Sequence, residues 1–491
     1  MTDKSFKETI ATLNSFQSSQ ETIERRVKEG IYQYTKRLEK TTRMLQSIDV
    51  QIDDLVALNA IHVAGTKGKG STCALTESIF RSCGYKTGLY TSPHLISVRE
   101  RIRINGRPVS EQQFVTHFWN VYNGLKADVN YETPAYFTFL TVFAFSMFCK
   151  EKVDVAIIEV GVGGEYDATN VLTSPIAVGI TSLGYDHLSI LGNTIESIAW
   201  HKSGIFKKNV PAFTVPQTFE AAMTVLRKRA DKKQCPLYVC PPLESYSTEN
   251  DNPIIVGIQG EIQRLNASLA LQLYNAWITN KWHSKCGQNF SHSETASAFK
   301  VSQQQLKGIK DCKWQGRCQY MPQGRIHYFL DGAHTIDSIQ HCVRWFTVHS
   351  QKLSVGKKVL KVLLFNCTGQ RNVNTLLTPL MLANFDFAIF TTNNVVAKES
   401  KTSEISNFNV DTSTKLESVA INCRAWKELI AHRFGTEPLT QQFACISEAI
   451  DYLRDQNNSY VSDAQSLHVL ITGSLHLVGG VLSIIDPKLD A

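Results

Sequence analysis

The sequence predicts an α/β protein of two domains, each folded around a mostly parallel sheet. Three observations predict it. At 491 residues the chain exceeds what one ordinary core organises. Strand-length apolar runs alternate with stretches of helical spacing along most of it. A glycine-rich loop, Ile61–Thr72, stands where a strand hands over to a helix.

The elements follow in order. Residues 21–57 are charged, poor in glycine and near helical spacing, so they read as helical. Strands are expected at Ala60–Ala64, Asp154–Val160, Ile176–Thr181 and Ala212–Val215, with helices between. The apolar run Phe137–Cys149 falls short of the ~20 residues that span a bilayer, so it predicts a buried helix and no membrane partner. Gln263–Thr279 reads as an amphipathic helix. A second series begins near Trp314, with strands at Arg325–Leu330, Val359–Phe365, Phe387–Phe390 and Leu467–Thr472. Residues 309–313 are the expected linker, dividing the chain into domains 1–310 and 311–491. The polar stretch 393–415 reads as a surface insertion without a motif.

Composition narrows the function. The net charge of +7 is spread over pairs such as Lys207-Lys208 and not gathered in a patch, which argues against nucleic acid and for anionic small ligands. The twelve cysteines include no Cys-x-x-Cys, which fits reduced thiols in a cytoplasmic or matrix compartment better than a zinc site. The N-terminus is neither a secretory signal nor a good mitochondrial presequence, although another start site could supply one.

The chemistry begins at the loop. Gly65-Thr-Lys-Gly-Lys-Gly-Ser-Thr72 lets successive N–H groups and a helix N-terminus face a phosphate, and Lys69 reaches the β- and γ-phosphates. Gly70 follows Lys69 where a phosphate loop usually has Ser or Thr, so the Mg²⁺ hydroxyl comes from Ser71 or from elsewhere. Ser92, in Thr91-Ser-Pro-His94, is one candidate source. Glu159 ends a buried strand, either beside a metal or in a plain salt bridge. The glycines after it do not complete a dinucleotide fingerprint, because Tyr166 holds the third position. Asp186 and His187 end the next strand at the same edge, where open sheets bind ligands. Lys202 closes a helix; it is a solvated helix end, or a buried amine that reacts with CO₂ to give a metal-binding carbamate. In the second half Arg317, Asp331 and His334 supply a guanidinium, an acid and an imidazole for the phosphates, or else a surface arginine and a turn. Thr472-Gly-Ser-Leu-His476 is another strand-to-helix loop.

Together these segments resemble the Mur-ligase superfamily of ATP-dependent amide-bond ligases, and within it the folylpolyglutamate synthases of the folate branch. The likeness rests on ten motifs in family order, from His62-Val-Ala-Gly-Thr-Lys-Gly-Lys-Gly-Ser-Thr72 to Thr472-Gly-Ser-Leu-His476. Between them lie Asp167-Ala-Thr-Asn170, His201-Lys-Ser-Gly204, Arg264-Leu-Asn266, Trp314-Gln-Gly-Arg317 and Asp331-Gly-Ala-His334, among others. The resemblance implies a P-loop Mur-ligase-type ATPase domain with a folate-binding surface, followed by a Rossmann-like ligase domain. It implies that ATP activates the γ-carboxylate of a reduced folate as an acyl phosphate, which the amine of L-glutamate attacks. Gly65, Thr66, Lys67, Gly68, Lys69, Gly70, Ser71 and Thr72 would hold ATP together with Asn266, Arg317 and Asp331. Ser92, Glu159 and His187 would ligate Mg²⁺, Lys202 as a carbamate would bind a second metal, and His334 would close on the phosphates. Ser474 and His476 would touch glutamate or folate, and a monovalent cation is left open.

Two departures stand out. Thr335 replaces a common Asn, and Glu165-Tyr166 replaces a common Arg-Leu pair; both bear on substrate preference and not on the charged motif residues. One alternative is a bifunctional enzyme that also adds the first glutamate to dihydropteroate, which the same motifs serve. Its discriminator is the pteridine pocket, for which Ser97–Arg103 and Pro134–Phe139 are candidate walls. Another class is a nucleotide-regulated binding protein, disfavoured because Arg317, Asp331 and His334 are all present. A monomer is expected, since one cleft can serve ATP and both substrates.

Overall fold

Strand β1 (Ile61–Ala64) is the axis of the first sheet because all four of its residues are buried and it pairs in parallel on both sides. Its partners are β5 (Val155–Glu159) and β6 (Ala177–Ile180). The remaining strands are β2 (Thr87–Tyr90), β3 (Ile102–Ile104), β4 (Arg107–Pro108), β7 (Ala212–Thr214) and β8 (Leu237–Val239). The order is β4-β3-β2-β5-β1-β6-β7-β8, parallel from β2 to β8 and antiparallel only at the β3–β4 edge. The computed structural model describes residues 4–17, 32–129, 131–279, 295–356, 358–367, 372–396, 404, 412–455 and 464–487.

The chain divides into two compact units. The first comprises residues 1–94, 98–257 and 261–313; the second takes 95–97, 258–260 and 314–491. The helix Gln303–Asp311 runs through the start of the expected linker, so the change of unit falls at Lys313–Trp314. Two short excursions, 95–97 and 258–260, also belong to the second unit, and no composition shift marks either.

In the first unit the apolar run becomes the helix Tyr136–Glu151, buried at every position from Thr138 to Phe148 except Ser146. It packs with Phe114, Phe118 and the β2 and β5 side chains in one core. The predicted 21–57 helix is two helices, Tyr32–Gln46 and Ile52–Ala57, parted by a turn in which Asp49 takes φ 60°. Residues 21–31 of that expectation lie outside the described residues.

The second unit has β9 (Gln319–Gln323), β10 (Ile326–Leu330), β11 (Val359–Phe365), β12 (Phe387–Thr391), β13 (Leu439–Phe443) and β14 (Ser466–Thr472). Their order is β13-β12-β11-β14-β10-β9, parallel except for the β9–β10 hairpin. Strands β9 and β13 are absent from the sequence reading. Both lie at edges, β9 carries Pro322, and neither shows the apolar run of a buried strand. Of the 393–415 insertion, most lies outside the described residues, and Thr412–Lys415 opens the helix Thr412–Phe434.

Candidate functional site

Sheet order builds the site of the first unit. Strands β2, β5, β1 and β6 lie side by side and parallel, so their carboxyl ends share one edge. They carry Thr91–His94, Glu159, the glycine loop and Thr181–His187 respectively.

The loop is shaped by two glycines. Gly65 sits at φ 149°, where a Cβ would lie on the Thr181 side chain. Gly68 sits at φ 90° and caps the helix Lys69–Ser82 without a side-chain hydrogen bond. The first intrahelical bond runs from Thr72 N–H to Gly68 O, 2.8 Å, so the amides of Lys69, Gly70 and Ser71 precede it and form the positive end of the dipole. Thr66 and Lys67 differ: both amides donate to Ser182 O, at 2.9 and 3.2 Å. The Thr66 hydroxyl donates to Gly184 O at 3.0 Å and accepts from Gly184 N–H at 3.1 Å. The loop is thus stapled to the segment that carries Asp186 and His187.

Charges gather around it. Lys67 pairs with Asp186 at 2.9 Å, and Lys69 Nζ lies 3.8 Å from Glu159 Oε1. Glu159 also accepts the Ser92 N–H at 2.9 Å, which ties the β2 loop to the β5 end. Lys202 is buried and donates to Gly65 O at 2.8 Å. Burial, and then the Lys69 cation, hold its amine well below the usual lysine range. Burial pushes His187 down to about 4 against the opposing pull of Asp186, so its imidazole is neutral near pH 7.

Two buried oxygens await partners. Thr72 Oγ1 and Asn266 Oδ1 have no hydrogen-bond partner among the described residues. Asn266 lies directly against the loop, because a Cβ on Gly68 would stand 2.5 Å from its Oδ1. A buried polar atom without a partner is costly unless a ligand supplies one. Ser71, by contrast, is buried in the first helical turn beside Thr72.

The second unit gathers Arg317, Asp331 and His334. Asp331, after β10, accepts Cys318 N–H at 2.8 Å and Ala333 N–H at 2.9 Å. Burial raises its carboxyl, opposed chiefly by the Arg317 guanidinium. The Gly332 amide donates to Gly316 O, 3.0 Å, and so locks the Arg317 turn to the β10 end. His334 Nδ1 lies 2.7 Å from Gly332 O; a carbonyl only accepts, so Nδ1 carries the proton. Ser474 caps the helix Leu475–Ile485 and accepts His476 N–H at 3.2 Å.

Three features escape the sequence reading. Gln217, just past β7, accepts Leu183 N–H at 2.8 Å and donates to Thr181 O at 3.1 Å, bracing the segment behind the loop. A polar residue at the next strand end was the available signal. The Lys67–Asp186 pair joins residues 119 apart and left none. The third is a buried relay: His62 Nε2 meets Thr169 Oγ1 at 2.8 Å, and Thr169 donates to Asp167 at 2.6 Å. One hydroxyl has one proton, so His62 Nε2 donates. Asp167 in turn accepts Val162 N–H at 3.1 Å and fixes the glycine turn after Glu159.

Known protein families match both units. Residues 63–252 match the Mur ligase middle domain, and residues 315–484 match the dihydrofolate synthetase C-terminal domain. The mitochondrial folylpolyglutamate synthase of Bos taurus is 38% identical, covering 99% of this chain and 93% of its own length. The folylpolyglutamate synthase of Candida albicans is 37% identical, with 99% and 97% covered. Among solved structures, a Mycobacterium tuberculosis folylpolyglutamate synthase complexed with ADP superposes with a TM-score of 0.67 at 24% identity, covering 90% of this chain and 94% of that one. The likeness in that case is one of fold. With relatives aligned over nearly their whole length and family models over both units, the chain belongs to the folylpolyglutamate synthase family, ATP-dependent ligases of the Mur-ligase superfamily.

Proposed function

We propose that the β1 loop of this ligase holds the ATP phosphates and that the neighbouring strand ends hold the magnesium that accompanies them. The observation that carries the reading is the alignment of Glu159, Lys69 and the 181–187 segment along one sheet edge, with Thr72 Oγ1 and Asn266 Oδ1 unpartnered beside the loop. Lys69 and the Lys69–Ser71 amides take the β- and γ-phosphates. Asn266 is the first unit's further candidate for the nucleotide, and Arg317, Asp331 and His334 are the second unit's candidates for nucleotide and phosphates.

The donor set fits magnesium. No cluster of three His, Cys, Asp or Glu side chains among the described residues could hold a metal. Magnesium commonly takes one or two carboxylates and completes its shell with phosphate and water. Ser92, Glu159 and neutral His187 would hold it, where it would offset charge on the phosphates. Lys202, whose amine burial holds well below the usual lysine range, is the candidate for carbamate formation at a second metal. A monovalent cation would have to find backbone oxygens, and we assign it no residue.

The chemistry follows. The γ-carboxylate of a reduced folate attacks the γ-phosphate of ATP and ADP leaves, giving an acyl phosphate. The amine of L-glutamate then attacks the acyl carbon, an amide forms, and phosphate departs with the electron pair of the broken C–O bond. The residues position the reactants and neutralise charge. Ser474 and His476 serve the glutamate or folate. The candidate walls of the folate pocket are Ser97–Arg103 and Pro134–Phe139. One chain carries the whole set, so a monomer is the working unit. The free cysteines fit a reducing compartment, cytoplasm or mitochondrial matrix.

ATP-dependent incorporation of labelled L-glutamate, on tetrahydrofolate and on dihydropteroate, tests the reading. Incorporation on tetrahydrofolate that Lys69→Ala abolishes supports it. Incorporation on both acceptors would make the enzyme bifunctional, and persistence in Lys69→Ala would refute the phosphate role of the loop.

A further inference from the structure

Three arginines stand within five residues at the edge of the first unit's sheet, and the fold treats them differently. Arg99 donates to Val109 O at 3.1 Å and pairs with Glu111 at 3.7 Å. Arg103 donates to Glu100 O and Gly106 O, both at 3.2 Å. Arg101 is only 9% exposed, yet no carboxylate or carbonyl among the described residues accepts from its side chain. Its Nε donates to the lone pair of His94 Nδ1 at 2.8 Å, and its guanidinium lies 5.5 Å from the Tyr136 ring centre. Neither neighbour carries a negative charge.

A largely buried arginine without a counter-ion is destabilising, and a stacked ring and one neutral acceptor offset that only in part. The two contacts do fix the fork's direction. Nε and the ring face are occupied, which leaves the terminal nitrogens as the donors for an incoming group.

The surroundings say what that group is. Thr91 N–H donates to Arg101 O at 3.0 Å, so Arg101 is anchored beside the loop that carries Ser92. Ser92 N–H in turn meets Glu159 at the strand end beside Lys69. Tyr136, under the guanidinium, begins the helix whose Phe137 ring packs over Gly161, where a Cβ would come within 2.6 Å. Arg101 thus joins the aromatic wall to the phosphate edge.

We propose that Arg101 binds the α-carboxylate of the substrate's terminal glutamate and thereby selects the γ-carboxylate for activation. This rests on the folate reading above. The acceptor end of a reduced folate carries two carboxylates on one residue, and only one may meet the phosphate. A planar fork that takes the other bidentately sets both register and identity. The same contact recurs after each cycle, because every added glutamate presents a new α-carboxylate.

The test compares tetrahydrofolate with its analogue in which 4-aminobutyrate replaces glutamate, which keeps the reacting carboxylate and lacks the α one. For wild-type enzyme kcat/KM falls roughly fifty-fold or more on the analogue, the scale of a lost buried charge pair. Arg101→Met lowers kcat/KM on tetrahydrofolate by a similar factor and changes it less than threefold on the analogue, with ATP affinity unchanged. Arg101→Lys keeps the charge without the fork, gives a smaller loss confined to tetrahydrofolate, and serves in place of Arg101→Met if that variant does not fold. Equal losses on both substrates would mean that Arg101 merely braces the wall, and no loss on tetrahydrofolate would remove it from the site; either overturns the proposal. Wild-type enzyme inactive on tetrahydrofolate would overturn the folate reading and this proposal with it.

Discussion

Gly65→Ala is the sharpest single perturbation of the phosphate loop, because two separate costs fall on one methyl group. Gly65 has φ 149°, a conformation in which a side chain costs about 1–3 kcal/mol. The new Cβ would overlap Thr181 Oγ1, and it would stand 2.9 Å from Thr181 Cβ and 3.0 Å from Thr181 N. The hydroxyl can rotate away; the other two atoms cannot. Restoring ordinary contact, about 3.4 Å, requires the loop and β6 to part by about 0.5 Å, an overpacking cost of roughly 1–3 kcal/mol. The parting also breaks the line from Gly65 O to Lys202, held at 2.8 Å. Summed conservatively at about 2 kcal/mol, the change predicts ATP affinity reduced roughly thirty-fold, read by isothermal titration. Gly84→Ala is the control. It has φ 91° but open space within 4 Å, so it carries the backbone strain without the clash and leaves ATP affinity unchanged. Adding Thr181→Ala to Gly65→Ala removes the hydroxyl but not Cβ or N, so rescue stays partial. A Gly65→Ala enzyme that binds ATP within threefold of wild type would refute this account of the loop.

Three other outcomes follow from the same geometry. His62 is pushed down to about 3 by burial from an ordinary 6.5, so between those values the unfolded chain binds the extra proton and stability is lost as pH falls. The loss is about 2 kcal/mol from pH 6.5 to 5, and His62→Gln, which keeps a donor for Thr169, should flatten that limb in urea titrations; an unchanged slope would exclude His62 as its source. Lys202 is depressed well below 10.5, so the unfolded chain again holds the extra proton and stability rises with pH towards 10.5; Lys202→Met removes that rise while abolishing glutamate incorporation, and a variant whose alkaline stability profile matches wild type contradicts the assignment. Lys67→Met and Asp186→Asn, with side chains 25% and 12% exposed, should couple by roughly 1 kcal/mol in a double-mutant cycle on thermal stability, and additivity would show that the pair does not staple the loop.

What could be read from sequence and what could not divides along a physical line. The loop, the strand ends and the buried helix were legible because each is a local pattern: glycines at fixed offsets, strand-length apolar runs, an apolar stretch too short for a membrane. Strand β9 was not, since an edge strand with Pro322 needs no buried face and shows no periodicity. Nor was the membership of residues 95–97 and 258–260 in the second unit, which depends on packing with Val478 and Cys318 neighbours far along the chain. The three arginines at 99, 101 and 103 make the same point at the level of one side chain. In sequence they are equivalent; only the fold gives two of them oxygen acceptors and withholds one from the third.

If the loop holds a nucleotide as proposed, the charge around it would favour a cation arriving with it. Lys67 faces Asp186, Lys69 faces Glu159, and Lys202, driven toward its neutral form, faces a carbonyl. Two amines against two carboxylates leave little spare positive charge for a polyphosphate. If Lys69 turned from Glu159 to a phosphate with nothing in exchange, a carboxylate only 3% exposed would be left facing an anion. A divalent cation that accompanies the phosphates removes that conflict, since Glu159 exchanges one positive partner for another and Lys69 is released. On this argument Glu159→Gln should lower the dependence of nucleotide affinity on magnesium more than it lowers affinity itself. Titrating ATP in chelator and in excess magnesium measures both, and equal losses in the two conditions would show that the carboxylate and the lysine act independently.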